Sequence, residues 1–538
     1  KGIAGCPPLR AGFHLPPRVI AFDGGLAAML KRLAASQAAG SPSKVGKRRA
    51  LVGPGVVGPA GEDQAASASR VGASQVCLGW HSCGWGITGT APIKGASGTG
   101  GATGSDQKPL DDDEARILRQ PIAIEQYQTL GARLRGGELV SFPTETVYGL
   151  GANGLDATAV LKIFRAKGRP LNDPCILHVP NVERALELLE LSSLERAVFE
   201  ALTSKIWPGP LSVVGRARSA VPKEVTAQTD FVAVRCPNHP VALELLRAAN
   251  VPLAAPSANR FGHISPTRAE HVLEDLGHWR GLQILDGGAC GVGIESTVAK
   301  LDLENRRVLV LRKGGATLEM LETALEEGFA HGAFGSERVV VEFYSRWAAG
   351  TSNAAEAESI ATAPPGAPAT KLEEDKKKEG VEEEQDEDKE AQQAPGMMLR
   401  HYAPSVPTYL LAKSDIRAGE SPAEGATSAL GEAARGVLVD FGGVLREHQH
   451  LFLRSFDLCA SGPSHEEACR SVFAVLREAE AFAQANNIEV ICLADFEVTG
   501  RGSYSEALHD RLFRAASGRS VALVGAGRLV AAAGKARR

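Results

Sequence analysis

Apolar and polar positions alternate along this chain in two rhythms, and the rhythm changes the length of each expected element. Over 122–135 apolar residues recur at helical spacing and Gly136-Gly137 follow as a stop, so the pattern predicts a helix; 138–142 then reads as a buried strand. Further strands are expected at 175–179, 211–215, 231–236, 251–255, 282–286, 296–302 and 307–312. Helices are expected at 157–166, 182–191, 194–204, 240–249, 267–276 and 317–326. Such interleaving predicts one α/β domain from about 111 to 330. A second ordered region, 397–538, has strand patterns at 407–412, 436–441, 488–493 and 520–524 and an amphipathic helix at 465–486. It predicts a smaller, Rossmann-like, open parallel sheet.

Two stretches lack either rhythm. Residues 1–110 are rich in Gly, Ala and Ser, and read as a disordered leader. Their first 50 residues hold nine Lys/Arg against the single acid Asp23, the balance of a mitochondrial or plastid transit peptide and equally of a biased tail without an address. Residues 331–396 read as a disordered acidic linker, because 371–390 alone carry 11 acids and 5 lysines.

Composition narrows the class. At 538 residues and 44% apolar, the chain is long enough for several cores. A formal net charge of −4 excludes a uniformly basic coat for nucleic acid, so any RNA contact would need a local patch. The nine cysteines are scattered and form no C-x-x-C pair, which argues against a disulfide scaffold or a zinc ribbon and for a reducing, cytoplasmic setting. No run reaches the ~18–20 apolar residues of a membrane span, so no membrane association is expected.

Nucleotide signals need weighing. Gly149-Leu150-Gly151-Ala152-Asn153-Gly154 fits G-x-G-x-x-G, yet the preceding strand end carries Pro143, Thr144, Glu145 and Thr146, which a plain dinucleotide turn does not require. No G-x-x-x-x-G-K-[ST] occurs. More informative are polar, turn-forming words where strands are expected to end: FPTETVYGLGA (142–152), KGRPLNDP (167–174), VRCPNHP (234–240), APSANRFGHISPT (255–267), GIESTV (293–298) and LRKGG (311–315). Ligands of open α/β sheets bind beyond strand ends. If these loops converge, Lys167, Arg169, Arg235 and Arg312 make one electropositive hollow suited to a triphosphate and carboxylates. Ser265-Pro266-Thr267 precedes an expected helix, where Thr267-x-x-Glu270 reads as a capping box and the exposed N–H groups also suit phosphate.

The words TETVYGL, KGRP, PSAN and ESTV, in this order, resemble the YrdC/Sua5 family of threonylcarbamoyl-AMP synthases, and PGMMLRHYAP (395–404) resembles the join to that family's C-terminal Sua5 domain. The tail SYSEALHDRLFRAA (503–516) resembles the end of that domain. For the first domain the resemblance implies a YrdC-like, twisted, open, mixed sheet with helices. The resemblance implies a nucleotidyltransferase that joins L-threonine, bicarbonate and ATP, the last with magnesium, into threonylcarbamoyl-adenylate and pyrophosphate. It further implies delivery to the downstream t6A transferase machinery for adenosine 37 of tRNA, with a transient tRNA contact. By the same matching Lys167, Arg169, Ser257 and Asn259 form the catalytic signature; Arg169, Asp173, Ser257, Ser265, Arg312 and Tyr402 face ATP; Thr146, His178, Arg235 and Ser296 face threonine. Asp173 departs from the family's usual asparagine, and a carboxylate beside phosphate would repel it. Replacing Lys167 or Arg169 by alanine is expected to abolish adenylate formation and spare the fold. Two rivals remain open: an RNA-binding, translation-linked protein using the same concave face, and a carbamoyltransferase of the hydrogenase-maturation type.

Overall fold

The computed structural model describes residues 114–344, 392, 394–396, 401–417, 429–525 and 527–531. The leader, the acidic run 371–390 and 397–400 lie outside the described residues, as do the calls made on them.

The first sheet has twelve strands: β1 (Arg116–Leu118), β2 (Val140–Phe142), β3 (Gly149–Asn153), β4 (Ile176–His178), β5 (Leu189–Glu190), β6 (Leu211–Ala217), β7 (Phe231–Arg235), β8 (Leu253–Ala254), β9 (Gln283–Leu285), β10 (Thr297–Asp302), β11 (Arg307–Arg312) and β12 (Val340–Phe343). Their order is β1-β9-β2-β3-β8-β4-β7-β6-β10-β11-β12, with β5 paired to β6. Parallel and antiparallel neighbours mix, as the resemblance to the YrdC/Sua5 family implies. The second sheet runs β14-β19-β18-β13-β17-β15-β16, from β13 (Thr408–Arg417), β14 (Ala429–Glu432), β15 (Val437–Asp440), β16 (Arg454–Asp457), β17 (Ile491–Asp495), β18 (Ser520–Val524) and β19 (Arg528–Ala531). Its five central and far-side strands are parallel, and β19 and β14 close one edge antiparallel.

Local chemistry sets the helix ends that matter for the cleft. Asp156 accepts hydrogen bonds from the Thr158 and Ala159 amides to start the helix Ala157–Lys167, and Gly168, at φ 66°, ends it in the left-handed conformation a glycine adopts at least cost. The turn therefore falls immediately after Lys167. Ser192 and Glu195 form a reciprocal capping box for Ser193–Ile206.

Three expectations change, and the reading against a dinucleotide turn stands. The helix expected at 182–191 stops at Leu186, because Leu188 and Leu189 are buried and Leu189–Glu190 add a short antiparallel strand to β6. The Thr267–Glu270 capping box is absent: the helix Ala269–Leu276 begins from Arg268, whose side chain makes no cap, while Thr267 is buried and its carbonyl accepts from the Cys290 amide. Gly149 to Asn153 is a strand antiparallel to β2, so its glycines serve close packing rather than a dinucleotide turn; a Cβ on Gly151 would lie 2.8 Å from the Phe142 ring. Finally, the first sheet continues past 330, since β12 pairs in parallel with β11.

Two large apolar clusters fill the fold. One lies against the first sheet; the other, under the second sheet, also takes in Val147, Ile264, Ile294 and Tyr402.

Candidate active site

The cleft forms where strand-end loops of the first sheet meet. β4 and β7 are parallel and in register, so their last residues, His178 and Arg235, are neighbours at the same edge. Next to them, the turn after β2 is held by Thr144, whose hydroxyl donates to the Val147 carbonyl at 2.6 Å and accepts from the Thr146 amide at 3.2 Å. This chain segment is stitched to the 256–266 loop: the Leu150 amide donates to Pro256 O, the Ala258 amide to Tyr148 O, and the Tyr148 amide to Pro266 O, at 2.8–2.9 Å. Two words far apart in sequence thus form one wall.

Of the residues chosen from sequence, Thr146, Arg169, His178, Arg235, Ser257, Ser296 and Arg312 line this cleft, which is partly open to solvent. Lys167, Asp173, Asn259, Ser265 and Tyr402 are buried directly behind its wall. Three of the four expected cations therefore converge on the hollow. The fourth, Lys167, turns its ammonium to the backbone, donating to Ser257 O at 2.6 Å and to Asn259 O. Burial and the neighbouring Arg169 push the Lys167 pKa down to about 7, while the Asp275 and Asp173 carboxylates pull the other way. Its role in the described geometry is to brace the PSAN loop. The Asn259 amide completes the brace by donating to Arg260 O and His263 O, each at 2.8 Å.

Each arginine is aimed by fixed partners. Arg169 donates to Asp173 O and Pro174 O and pairs with the Asp173 carboxylate at 3.0 Å. Burial raises the Asp173 carboxyl, although Arg169 and Lys167 oppose this; Arg169 offsets the repulsion that an aspartate there would offer to phosphate. Arg235 donates to Gly209 O and pairs with Glu145 at 2.8 Å. Arg312 grips Ser296, donating to its carbonyl at 2.9 Å and hydroxyl at 3.2 Å, and reaches Pro395 O at 3.1 Å. His178 is neutral: burial and the adjacent Arg235 hold it down at about 3. Its Nδ1 lies 3.3 Å from Ile176 O, so the ring is oriented by backbone.

Sequence reasoning passed over Glu295 and His401, which also line the cleft, and Glu145, which pairs with the lining residue Arg235. Glu295 stands within the ESTV word and was the one readable signal, an acid beside a presumed ligand serine. Its carboxylate accepts from Ser265 Oγ at 2.6 Å and from Arg511 Nε of the second sheet's helix Tyr504–Ala515 at 3.0 Å. The Ser265 hydroxyl is thus committed to Glu295. Tyr402 is fully buried at φ 63°, with its ring against Phe473 and His401 and over the Arg511 guanidinium. Burial pushes its phenol up to about 12, so it stays neutral. Cys175 and Cys236 are likewise pushed up to about 11 by burial, which leaves neither thiol poised as a nucleophile. Among the described residues no group of three or more His, Cys, Asp or Glu gathers to hold a metal. No helix among them is long and apolar enough to cross a membrane.

Residues 132–314 match the family model described as telomere recombination, shared by Sua5, YciO and YrdC proteins, and 355–517 match the threonylcarbamoyl-AMP synthase C-terminal domain. A putative threonylcarbamoyl-AMP synthase of Mycobacterium tuberculosis is 35% identical over 192 residues, 36% of this chain and 85% of the relative. The chain belongs to the Sua5/YrdC family. Within that family, the threonylcarbamoyl-AMP synthases of Pyrococcus abyssi and Bacillus subtilis are 44% and 45% identical over 216 and 201 residues, or 40% and 37% of this chain. This Sua5/YrdC chain spans 62% and 56% of those two relatives' lengths. The crystal structure of P. abyssi Sua5 complexed with L-threonine superposes with a TM-score of 0.52 at 29% identity, covering 75% of this chain and 97% of that one. Both sheets of the two-domain Sua5 arrangement are therefore present.

Proposed function

We propose that the chain is an L-threonylcarbamoyladenylate synthase, a nucleotidyltransferase that forms threonylcarbamoyl-AMP and pyrophosphate from L-threonine, bicarbonate and ATP. The observation that carries this reading is the meeting of Arg169, Arg235 and Arg312 with the neutral His178 and the hydroxyls of Thr146, Ser257 and Ser296 in one cleft. The naming of the relatives as threonylcarbamoyl-AMP synthases supports it.

The chemistry explains the residue types. Threonine's free amine attacks bicarbonate carbon with loss of water, giving a carbamate; a carbamate oxygen then attacks the α-phosphorus of ATP and pyrophosphate departs. Every reactant is an anion or carries a carboxylate. Guanidinium forks lower their mutual repulsion, hold them in line and stabilise charge on the departing oxygen. We assign threonine to the side built by Thr146, His178, Arg235 and Ser296. A neutral imidazole there adds no like charge to Arg235 and offers a hydrogen bond to the substrate's hydroxyl or carboxylate. ATP is assigned to the side of Arg169, Ser257 and Arg312, with Lys167, Asn259, Ser265 and Tyr402 shaping that wall from behind.

Magnesium would arrive on the triphosphate and be held chiefly by phosphate oxygens, since the lining Glu295 and the neighbouring Glu145 and Asp173 are each paired with an arginine. The adenylate would pass to a downstream t6A transferase and thence to tRNA. Incubation of purified protein with ATP, threonine and labelled bicarbonate tests the reading. Label in a threonine-dependent adenylate, with stoichiometric pyrophosphate, is the expected result; RNA binding without product, or turnover requiring carbamoyl phosphate, would replace this reading by one of its rivals.

A further inference from the structure

The second sheet's helix Tyr504–Ala515 buries one side chain behind the cleft, against its lining residue Glu295. Arg511 is wholly buried, and three groups surround its guanidinium. Nε donates to Glu295 Oε2 at 3.0 Å, Nη1 pairs with Asp510 at 3.0 Å, and the plane's carbon lies 5.2 Å from the centre of the Tyr402 ring. Glu295 lines the cleft and directly precedes Ser296, which Arg312 holds from the opposite side. The approach is close because Gly293, at φ 81°, lets its loop touch the backbone of Cys469 and Arg470; a Cβ there would sit 2.4 Å from Arg470 Cα. Further ties surround the contact, from Tyr504 Oη to Gly315 O and from Arg470 Nε to Gly291 O.

We propose that Arg511 is a positioning residue of the first sheet's cleft, supplied by the second domain, which neutralises Glu295 and supports the Tyr402 ring with a single cation. Asp510 alone does not account for the placement, because Asp510 is also paired with Arg514 on the same helix at 2.9 Å. With Arg511 removed, the Glu295 carboxylate keeps, among the described residues, the Ser265 hydroxyl as its hydrogen-bond partner and Arg312 as a nearby cation. Without its paired guanidinium it draws on the Arg312 charge and presents more negative charge to a cleft that must take a triphosphate. Tyr402 at the same time loses the cation beneath its ring. The second domain thereby completes the nucleotide side of the first.

This inference rests on the adenylate-forming reading, and the test keeps the two apart. Full-length Arg511→Met, which retains much of the side chain's length and removes its charge, is compared with the parent in adenylate formation and in calorimetric binding of a non-hydrolysable ATP analogue. The expected result is at least a tenfold rise in KM for ATP and in analogue Kd, with KM for threonine changed less than threefold. In a Glu295→Gln background the same substitution should cost less than a third of that factor, because no carboxylate is left to neutralise. Arg511→Lys, for use where the methionine variant does not fold, lacks the guanidinium fork that meets both Glu295 and the Tyr402 ring and should raise both values at least threefold. An active parent whose Arg511→Met or Arg511→Lys form keeps KM for ATP and analogue Kd within twofold overturns this inference and leaves the proposed reaction standing. Equal losses in the Glu295→Gln background also overturn it. A parent that binds nucleotide without making product refutes the proposed reaction, while the analogue affinities still decide the role of Arg511; a parent that binds no nucleotide overturns both.

Discussion

Lys167 gives the sharpest test of how the cleft is built. From sequence its loss should spare the fold; the structure says it should not. The ammonium is buried and donates to the carbonyls of Ser257 and Asn259. Lys167→Met keeps the aliphatic stem and leaves both carbonyls without this donor, at a cost of about 1–3 kcal/mol each. The substitution also removes the burial penalty of a charge, which pushes the lysine's pKa down to about 7 and offsets part of that loss. A net destabilisation of about 2–4 kcal/mol follows, and with a slope of about 2–3 kcal/mol per molar urea the unfolding midpoint should drop by roughly 1 M. The loosened loop carries Ser257, so adenylate formation should fall by about 10²-fold, the order expected for a displacement near 1 Å. Urea unfolding followed by fluorescence, together with product formation measured at low urea, separates the two effects. A variant that loses activity while its midpoint stays within about 0.2 M of the parent would refute the bracing role and make Lys167 a direct ligand.

Three further outcomes are expected. Arg169→Ala strands the buried Asp173 carboxylate and should cost about 3–5 kcal/mol; adding Asp173→Asn should restore most of the stability but not adenylate formation, as read by thermal unfolding and product assay. His263 lies between Asp275 at 3.0 Å and Glu480 at 2.9 Å, from the two domains; burial pushes it down, but both carboxylates outweigh that and its pKa is raised above 6.5. Its contribution to stability is therefore fully present below the unfolded value and is lost as pH rises through the folded one, so parent Tm should fall on the alkaline side of neutrality more than that of His263→Gln, and parallel curves would contradict the pairing. Gly396→Ala places a Cβ 3.2 Å from Arg312 Nη1 and 3.3 Å from Tyr402 Oη at φ 78°, so KM for ATP should rise several-fold; an unchanged KM would show that this turn does not govern Arg312.

The strand-end words were legible because each combines turn chemistry with a cation or hydroxyl within a few residues, and sheet topology then brings the ends together. His178 beside Arg235 is such a case: both end parallel strands in register. The direction of Lys167 was not legible, because its acceptors are backbone carbonyls about ninety residues on and carry no residue code. Glu295 with Arg511 was hidden for a related reason, a pair 216 positions apart across two sheets. The Thr267 box misled because the same four letters fit a cap and a buried loop, and burial decided between them.

The apolar mass beneath the second sheet is not that sheet's private property. Val147, Ile264 and Ile294, each from a cleft-forming loop, are buried in it. A shortened chain ending before the tail would therefore expose greasy side chains at the rear of its own catalytic loops, inviting aggregation and slackening the loops together. A lone-sheet cousin of this protein must carry polar or smaller side chains at those three places, or find another cover for them. Solubility and catalysis would then be inherited as one trait.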